Sequence, residues 1–377
     1  MTAPDKPPLI GRPQVYALLL LLAFAAQCLW VASRAPLDRE EQAALSPGPA
    51  WEGRSASTDA LQQGDAYRSP LIYRVALLPL RAGLVPRFDF AGPMYRLRLR
   101  LRLPFILFGL LYGASLWYVA RRLYTNRGAY FALALYCFSP RMVAESSHVW
   151  PDGLAGWGFF GAIFLGIASA HSLYALPETL PWHRRWRRPV LMGIALGVAV
   201  ASQYSLWLAA PLALAFMLYL APARRREGAA MIVAALAIAA LVLMVTFRLD
   251  GIALAAAWHA AVLRPASAWN IAALLSGAWA FEVMLMIALA TWLVWPRARY
   301  FGNTAALIAA VAVPLAAPAY PGEPPYRLWT PALTFLFLFT GGIFADLLET
   351  RRSRLVLILG GVLLLTDVVF GLVHLRL

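Results

Sequence analysis

Three acidic residues, Asp38, Glu40 and Glu41, stand within four positions in the stretch "PLDREEQAAL", residues 36–45. This stretch follows directly on the first long apolar run of the chain, where a carboxylate is costly to dehydrate. A carboxylate held near lipid binds a proton more tightly than one in water, which suits it to take a proton from an acceptor hydroxyl or amine. These acids are therefore candidates for a general base, with a solvated loop as the alternative.

A further acid, Asp152, lies in "SSHVWPDGLAGWG", where a later apolar run begins. Aspartate is common at the start of a helix, so a structural cap is as good an interpretation as a catalytic partner. His148 lies four positions earlier. Protonated, it could assist phosphate binding, although a lone histidine in a loop is more often simply solvated.

Arginines follow the first acids in two patterns. In "RSPLIYRVALLPLRAGLVPR" they recur every six or seven residues among apolar ones, which predicts helices lying in the membrane interface. In "YRLRLRLRLP" they alternate with leucine, which would segregate the two types on a strand and scatter them around a helix. Either way the guanidinium groups can reach phosphate oxygens at the headgroup level. The candidates for phosphate binding are Arg68, Arg74, Arg96, Arg98, Arg100 and Arg102.

A general base combined with phosphate-binding arginines is what sugar transfer from a lipid phosphate requires. The base activates the acceptor, and the arginines offset the charge that develops on the departing phosphate. Generic anchoring to anionic lipid explains the arginines at least as well.

Transmembrane helices are the elements that must position these residues. The 377 residues are 61% hydrophobic and 14% charged, whereas an average soluble domain is roughly 25% charged. The apolar residues form continuous runs rather than the alternating pattern of barrel strands, so we predict an all-α polytopic membrane protein. About eleven spans are predicted from hydropathy, at residues 15–32, 103–120, 128–138, 153–170, 190–201, 205–220, 229–247, 271–295, 304–317, 328–345 and 355–373.

Arginine clusters between the spans predict the orientation. With a cytoplasmic N-terminus, five successive inner loops carry these clusters, as the positive-inside rule expects. We predict one integral membrane domain over 1–377: a cytoplasmic tail at 1–14, an outer loop with interfacial helices at 33–102, core spans at 103–220 and C-terminal spans at 221–377. The site is then on the outer face. Because Lys6 is the only lysine beside many arginines, we expect a bacterial inner membrane.

Composition and motifs also argue against other classes. The formal charge of +15 comes almost wholly from arginine, much of it in short loops between spans, so nucleic acid is not a predicted partner. Cys28 and Cys137 lie within apolar runs and indicate neither a disulfide nor a metal site. No Walker loop or HExxH motif is present. We predict no cofactor and assign no metal. Glu282 and Asp367 fall within predicted spans, where they would serve a transporter or flippase.

The order of these motifs resembles the GT-C superfold glycosyltransferases that use lipid-phosphate sugars. The group concerned is glycosyltransferase family 39, with protein O-mannosyltransferase-like and aminoarabinose transferase-like membrane proteins. "LDREEQ" stands at the family's acidic motif, and "LRLPFILFGLLYGASLWYVARRLYTNRGAYFALALYCFSP" is similar to its span, Ala-Arg-Arg-Leu-Tyr, span and Ser-Pro succession, with Asp152 at the acid that follows. Gln203 and Tyr204 stand at its Lys-Tyr, and Tyr326 and Arg327 in "PPYRLWTP" resemble its Arg-Tyr-Leu-Leu-Pro segment.

The resemblance implies a GT-C bundle that moves a sugar from a polyprenyl-phosphate donor to a lipid, glycan or protein acceptor by inverting displacement. One acid of residues 38–41 would be the base and Asp152 would orient the base or the acceptor, while Gln203, Tyr204, Tyr326 and Arg327 would contact substrate. Gln203 departs from the family because it removes a cation, and the chain is short for the family. A catalytically silent protein that binds lipid-linked sugar is therefore the main alternative.

Overall fold

The computed structural model describes residues 12–38, 41, 70–82, 94–175, 182–252, 254, 255, 258, 279–316, 329–350 and 352–374. The elements of these residues are all helical, as predicted. They are α1 (Pro13–Arg34), α2 (Pro70–Ala76), α3 (Leu78–Arg81), α4 (Met94–Phe138), α5 (Pro140–Ser146), α6 (Asp152–Ala175), α7 (Trp182–Ser202), α8 (Ala209–Leu220), α9 (Arg225–Thr246), α10 (Trp279–Val294), α11 (Phe301–Ala316), α12 (Trp329–Leu348) and α13 (Ser353–His374). Short 3-10 helices at Tyr204–Leu208, Pro222–Arg224 and Pro296–Arg299 join some of them.

Several helices have the length and composition of membrane spans. Within the described ranges five qualify: Pro13–Arg34, Arg98–Phe138, Asp152–Leu173, Pro222–Thr246 and Trp329–Leu348. Shorter apolar helices occupy Tyr204–Leu220, Val283–Val294 and Phe301–Val313. The all-α membrane class is therefore confirmed, while the total of eleven spans stays a prediction.

Helix α4 folds back on itself and supplies two of the predicted spans. The break is at Tyr124 (φ −129°, ψ 16°) and Thr125 (φ 70°), between the arginines of a predicted inner loop. The Tyr136 hydroxyl donates a hydrogen bond of 2.7 Å to the carbonyl oxygen of Gly109, although 27 helical residues would separate the two by about 40 Å along a straight axis. The two halves of α4 are therefore antiparallel neighbours. The beginning and the end of α4 lie at the same end of the bundle, and the break lies at the other.

Small residues set the register between α6, α7 and α9. A Cβ atom at Gly158 of α6 would lie 2.6 Å from the carbonyl oxygen of Ala195 and 2.7 Å from the nitrogen of Ala199, both on α7. On another side of α7, a Cβ atom at Gly197 would lie 2.6 Å from Val242 of α9. Glycine lets helix backbones approach this closely, which is how membrane helices gain packing energy without a hydrophobic drive between them. Helix α6 runs antiparallel to α7, whereas α9 runs parallel to α7, so the start of α6 and the ends of α7 and α9 lie at one end of the bundle.

The arginine-rich segments between α1 and the first half of α4 are helical where described. The alternating residues 96–102 belong to α4, so the helix rather than the strand interpretation holds. In α2 and at its end, Ile72, Val75 and Leu77 are buried against Leu101 and Phe105 of α4. The predicted interfacial helix, which we expected to break near Pro79 and Pro86, is described over residues 70–82, where it forms two short helices packed on the bundle and the break is at Leu77. Their position in a membrane interface stays a prediction.

Candidate functional site

Glu41 forms a fully buried ion pair with Arg102. Nε of Arg102 donates to Oε1 of Glu41 and Nη2 donates to Oε2, both at 2.6 Å, and neither side chain is exposed. Nη1 donates to the carbonyl oxygens of Ala32 and Ala35, at 2.8 and 3.0 Å, and Nη2 to that of Pro36 at 2.8 Å. The guanidinium thereby satisfies carbonyl groups at and beyond the end of α1, where the helix itself offers no partner.

The ion pair changes the expectation for Arg102. A guanidinium has five N–H donors, and in Arg102 each of them has a protein acceptor. Donating to a phosphate would require breaking one of these buried bonds. We therefore correct the assignment of Arg102 from a phosphate contact to a structural link between α1, the acidic segment and α4.

Asp38 is held by three bonds but is only half-buried. Its Oδ1 accepts the backbone N–H of Glu41 at 2.7 Å, and its own N–H donates to Oε2 of Glu41 at 3.0 Å. This reciprocal pattern is that of a capping box. Oδ2 of Asp38 accepts a 2.6 Å hydrogen bond from Nε1 of Trp150. Of the two acids that the structure describes here, Asp38 is partly accessible and Glu41 is not, so an acceptor can approach Asp38 but not Glu41. Glu40 lies outside the described residues.

The segment before α6 joins the two acidic motifs. The N–H of Val149 donates to Oε1 of Glu41 at 3.1 Å, one residue before the Trp150 bond to Asp38. Asp152, the first residue of α6, is 1% exposed. The structure therefore brings Asp38, Glu41 and Asp152 to the same end of the bundle. Their catalytic roles are proposals.

A further buried acid, Glu145 on α5, belongs to this site. Thr330 at the start of α12 donates to its carboxylate, and Arg141 forms an ion pair with it. Burial raises the pKa of Glu145 to about 8, and the charge of Asp152 also raises it, while Arg141 lowers it. Desolvation dominates because Glu145 is 1% exposed whereas the Arg141 side chain is 32% exposed and partly solvated. The sequence analysis missed Glu145, although its i, i+4 spacing from Arg141 was a visible signal.

The remaining arginines occupy different surroundings. Nη1 of Arg74 donates to the carbonyl oxygen of Val245 at the end of α9, at 3.0 Å. Arg98 and Arg100 are half-buried, and Nε of Arg98 is buried with no hydrogen-bond partner among the described residues. Since Arg98 is one turn from Arg102 on α4, it shares the face of the buried ion pair. Arg96 lies in α4, and Arg68 lies outside the described residues, as do Tyr326 and Arg327.

Three other predicted residues adjoin the acids or share their end of the bundle. His148 stacks on Trp150, with ring centroids 4.8 Å apart and planes at 18°, and its Nδ1 is 2.8 Å from the carbonyl oxygen of Ala144. Gln203 and Tyr204, both buried, follow the end of α7. Among the described residues, no three side chains of His, Cys, Asp or Glu group as metal ligands.

Comparison with known proteins identifies the fold. Residues 97–249, less than half of the chain, match the family described as dolichyl-phosphate-mannose-protein mannosyltransferase. No curated protein matches. The oligosaccharyltransferase AglB from Archaeoglobus fulgidus, solved with an inhibitory peptide and a dolichol-phosphate, has a TM-score of 0.58 at 13% identity, over 96% of this chain and 55% of that one. ArnT from Cupriavidus metallidurans, bound to undecaprenyl phosphate, has a TM-score of 0.60 at 18% identity, over 93% of this chain and 63% of that one.

The protein is an integral membrane protein with the GT-C fold of membrane glycosyltransferases. It spans 55% and 63% of the length of these two neighbours. At such identities the likeness concerns the fold, and function has to be argued from the site itself.

Proposed function

We propose that this protein is a membrane glycosyltransferase that moves a sugar from a polyprenyl-phosphate donor to an acceptor on the outer membrane face. The observation that carries the proposal is the placement of Asp38. It is a partly accessible carboxylate, oriented by Trp150 and by Glu41, at the end of the bundle that also holds Asp152 and Glu145.

The residues support an inverting single displacement. Asp38 takes the proton of the acceptor hydroxyl or amine as the nucleophile attacks the anomeric carbon. The bond between that carbon and the phosphate oxygen breaks, and polyprenyl phosphate leaves with the bonding electrons. Arg98, whose buried Nε has no hydrogen-bond partner among the described residues, offsets the charge on the leaving phosphate, with Arg100 close by in sequence. Asp152 orients the acceptor.

The proposed donor class draws on the neighbours. AglB is solved with a dolichol-phosphate and ArnT with undecaprenyl phosphate, both polyprenyl phosphates. Asp38 and Asp152 lie at one end of the helix bundle, and Arg98 and Arg100 lie on α4. These residues fit sugar transfer from a polyprenyl phosphate. The sugar and the acceptor are the finer part of the proposal, and the family description offers mannose as the first sugar to test.

The lipid that copurifies with the protein tests the proposal. The Asp38→Asn variant is to be purified beside the wild type, and the bound lipids identified by mass spectrometry. We expect Asp38→Asn to retain a sugar-linked polyprenyl phosphate, since it binds the donor but cannot discharge it, and the wild type to hold mainly the sugar-free lipid. Asp250→Asn, at an aspartate beyond the end of α9, is the matched control and should behave as the wild type.

Two outcomes would contradict the proposal. If neither the wild type nor any variant carries an isoprenoid lipid, the protein does not use this donor class. The hypothesis to test is then transport that depends on Glu282 or Asp367. If the wild type retains the sugar as fully as Asp38→Asn, the protein binds lipid-linked sugar without transferring it.

A further inference from the structure

Three polar side chains at and just after the end of α7 are buried without a hydrogen bond to any described residue. Ser202, Gln203 and Ser205, here called the α7 polar cluster, are each 1% exposed. Both hydroxyl oxygens and both amide atoms of Gln203 have no hydrogen-bond partner within the described part of the chain. The backbone of Gln203 is satisfied, because its N–H donates to Ala199 and its carbonyl accepts from Leu206. The hydrogen-bonding groups that lack a partner among the described residues are therefore those of the side chains.

Such a cluster needs a physical explanation. A buried polar group without a partner costs roughly 1 to 3 kcal/mol, and the large majority of buried side-chain polar atoms in proteins are bonded. Leucine or alanine at these positions would avoid the cost in so apolar a chain. No described residue meets this hydrogen-bonding capacity, so the cluster is suited to bind a ligand or water.

The register of α6 and α7 places the cluster near Asp152. Gly158 of α6 packs against Ala199, which lies one turn before Gln203 on the same side of α7. Because the two helices are antiparallel, Asp152 at the start of α6 and Gln203 at the end of α7 lie at the same end of the pair. The cluster thus adjoins the proposed reaction site.

The chemistry of the cluster favours neutral hydroxyl groups over phosphate. An amide offers two donors and an acceptor, and each serine hydroxyl both donates and accepts, which complements neighbouring hydroxyl groups of a sugar. Asp152 disfavours an anion at this place.

We infer that the α7 polar cluster binds the hydroxyl groups of the donor's sugar and leaves the phosphate to the arginines of α4. This inference rests on the proposed function and adds to it the part of the donor that Gln203 recognises. The neutral amide of Gln203 then contributes to recognition of the sugar, and the missing lysine is not a loss of phosphate binding.

The first test compares bound lipids in the Asp38→Asn background, where turnover is blocked. Adding Gln203→Leu, which keeps the volume and removes the polar atoms, should lower the ratio of sugar-linked to sugar-free polyprenyl phosphate by about tenfold, the effect of one or two lost hydrogen bonds. Gln27→Leu is the matched control, because Nε2 of Gln27 already donates to the carbonyl oxygens of Ala23 and Cys137. It should leave the ratio unchanged.

The second test needs no donor and uses the delipidated protein. Gln203→Leu should raise the Tm by roughly 2 °C, since it removes an unsatisfied buried amide, whereas Gln27→Leu should lower it. A lower Tm for Gln203→Leu would show that the amide is satisfied within the protein and would overturn the inference.

The combined outcomes separate this inference from the proposed function. Isoprenoid lipid present with an unchanged ratio overturns the sugar assignment alone: with a raised Tm the cluster binds water, and with a lowered Tm its amide is bonded within the protein. Absence of any isoprenoid from Asp38→Asn overturns the proposed function, and the sugar assignment falls with it.

Discussion

At the scale of single residues, neighbouring groups decide what each acid can do. Glu41 accepts hydrogen bonds from two nitrogens of Arg102, from the N–H of Asp38 and from the N–H of Val149. An incoming acceptor would have to displace one of these groups from a buried site. Asp38, in contrast, is half-buried and held from one side by Trp150. Of the two acids of this motif that the structure describes, Asp38 is therefore an accessible candidate base and Glu41 is a structural carboxylate.

The indole of Trp150 should matter for turnover because it orients Asp38. We expect Trp150→Phe, which keeps an aromatic ring but removes the N–H donor, to lower kcat about tenfold, in line with a hydrogen bond to a charged group, with little change in the bound donor. The measurement is release of sugar from the copurified donor. Trp157→Phe, which removes an indole N–H bonded to Ser115, is the control. Equal losses in both variants would mean that the effect is only packing.

Glu145 should make stability depend on pH. Its pKa rises from 4.5 to about 8, chiefly through burial, so the folded state binds the proton that the unfolded state has released between these values. The free energy of unfolding should therefore be highest below the lower value and fall as pH rises towards the upper one. Thermal unfolding between these two pKa values would measure this, with Glu145→Gln showing a flatter dependence. An unchanged slope in Glu145→Gln would refute the assignment to this group.

At the scale of elements, the Glu41–Arg102 pair links helices that are distant in sequence. Arg102 belongs to α4, its three carbonyl acceptors lie at and after the end of α1, and Glu41 lies in the acidic segment. The link also reaches α6 through the Val149 N–H. One arginine therefore determines how the acidic segment meets the start of α6.

Breaking this pair should be costly, and removing both partners less so. We expect Glu41→Gln and Arg102→Met each to destabilise the fold by about 3 kcal/mol, because a single substitution leaves a buried group without its partner. The double variant should lose less than the sum. Thermal unfolding of the four proteins gives the coupling. Glu227→Gln, in the exposed pair with Arg224, should change stability by no more than about 0.5 kcal/mol. If the losses of stability in the two single variants add up in the double variant, Glu41 and Arg102 are not energetically coupled.

At the scale of the whole molecule, the proposed function requires the acidic end of the bundle to face away from the cytoplasm. Every helix end that contributes to the site lies at this end, and the break in α4 lies at the opposite one. The arginine clusters at residues 121–127, 224–226 and 297–299 lie near that opposite end. This distribution agrees with the predicted orientation, which still has to be measured.

Cysteine labelling in intact cells tests the orientation. Ala82→Cys introduces an exposed thiol after α3, and Tyr300→Cys an exposed one in the turn before α11. We expect a membrane-impermeant maleimide to label Ala82→Cys in intact cells and Tyr300→Cys only after permeabilisation. Cys28 and Cys137 are buried and provide the unlabelled background. The reverse pattern would place the acids in the cytoplasm and rule out transfer at the outer face.

The sequence by itself determined the membrane class, the helical fold and the approximate place of most spans, because hydropathy and arginine clusters are local properties of composition. It also indicated Asp38 and Asp152. Only the tertiary structure decided that Arg102 forms an ion pair with Glu41, 61 positions away. The same holds for the hydrogen bond between Thr330 and Glu145, which are 185 positions apart. These outcomes depend on which helix ends adjoin, and that is set by packing at residues such as Gly158. No local pattern of charge or hydropathy contains this information.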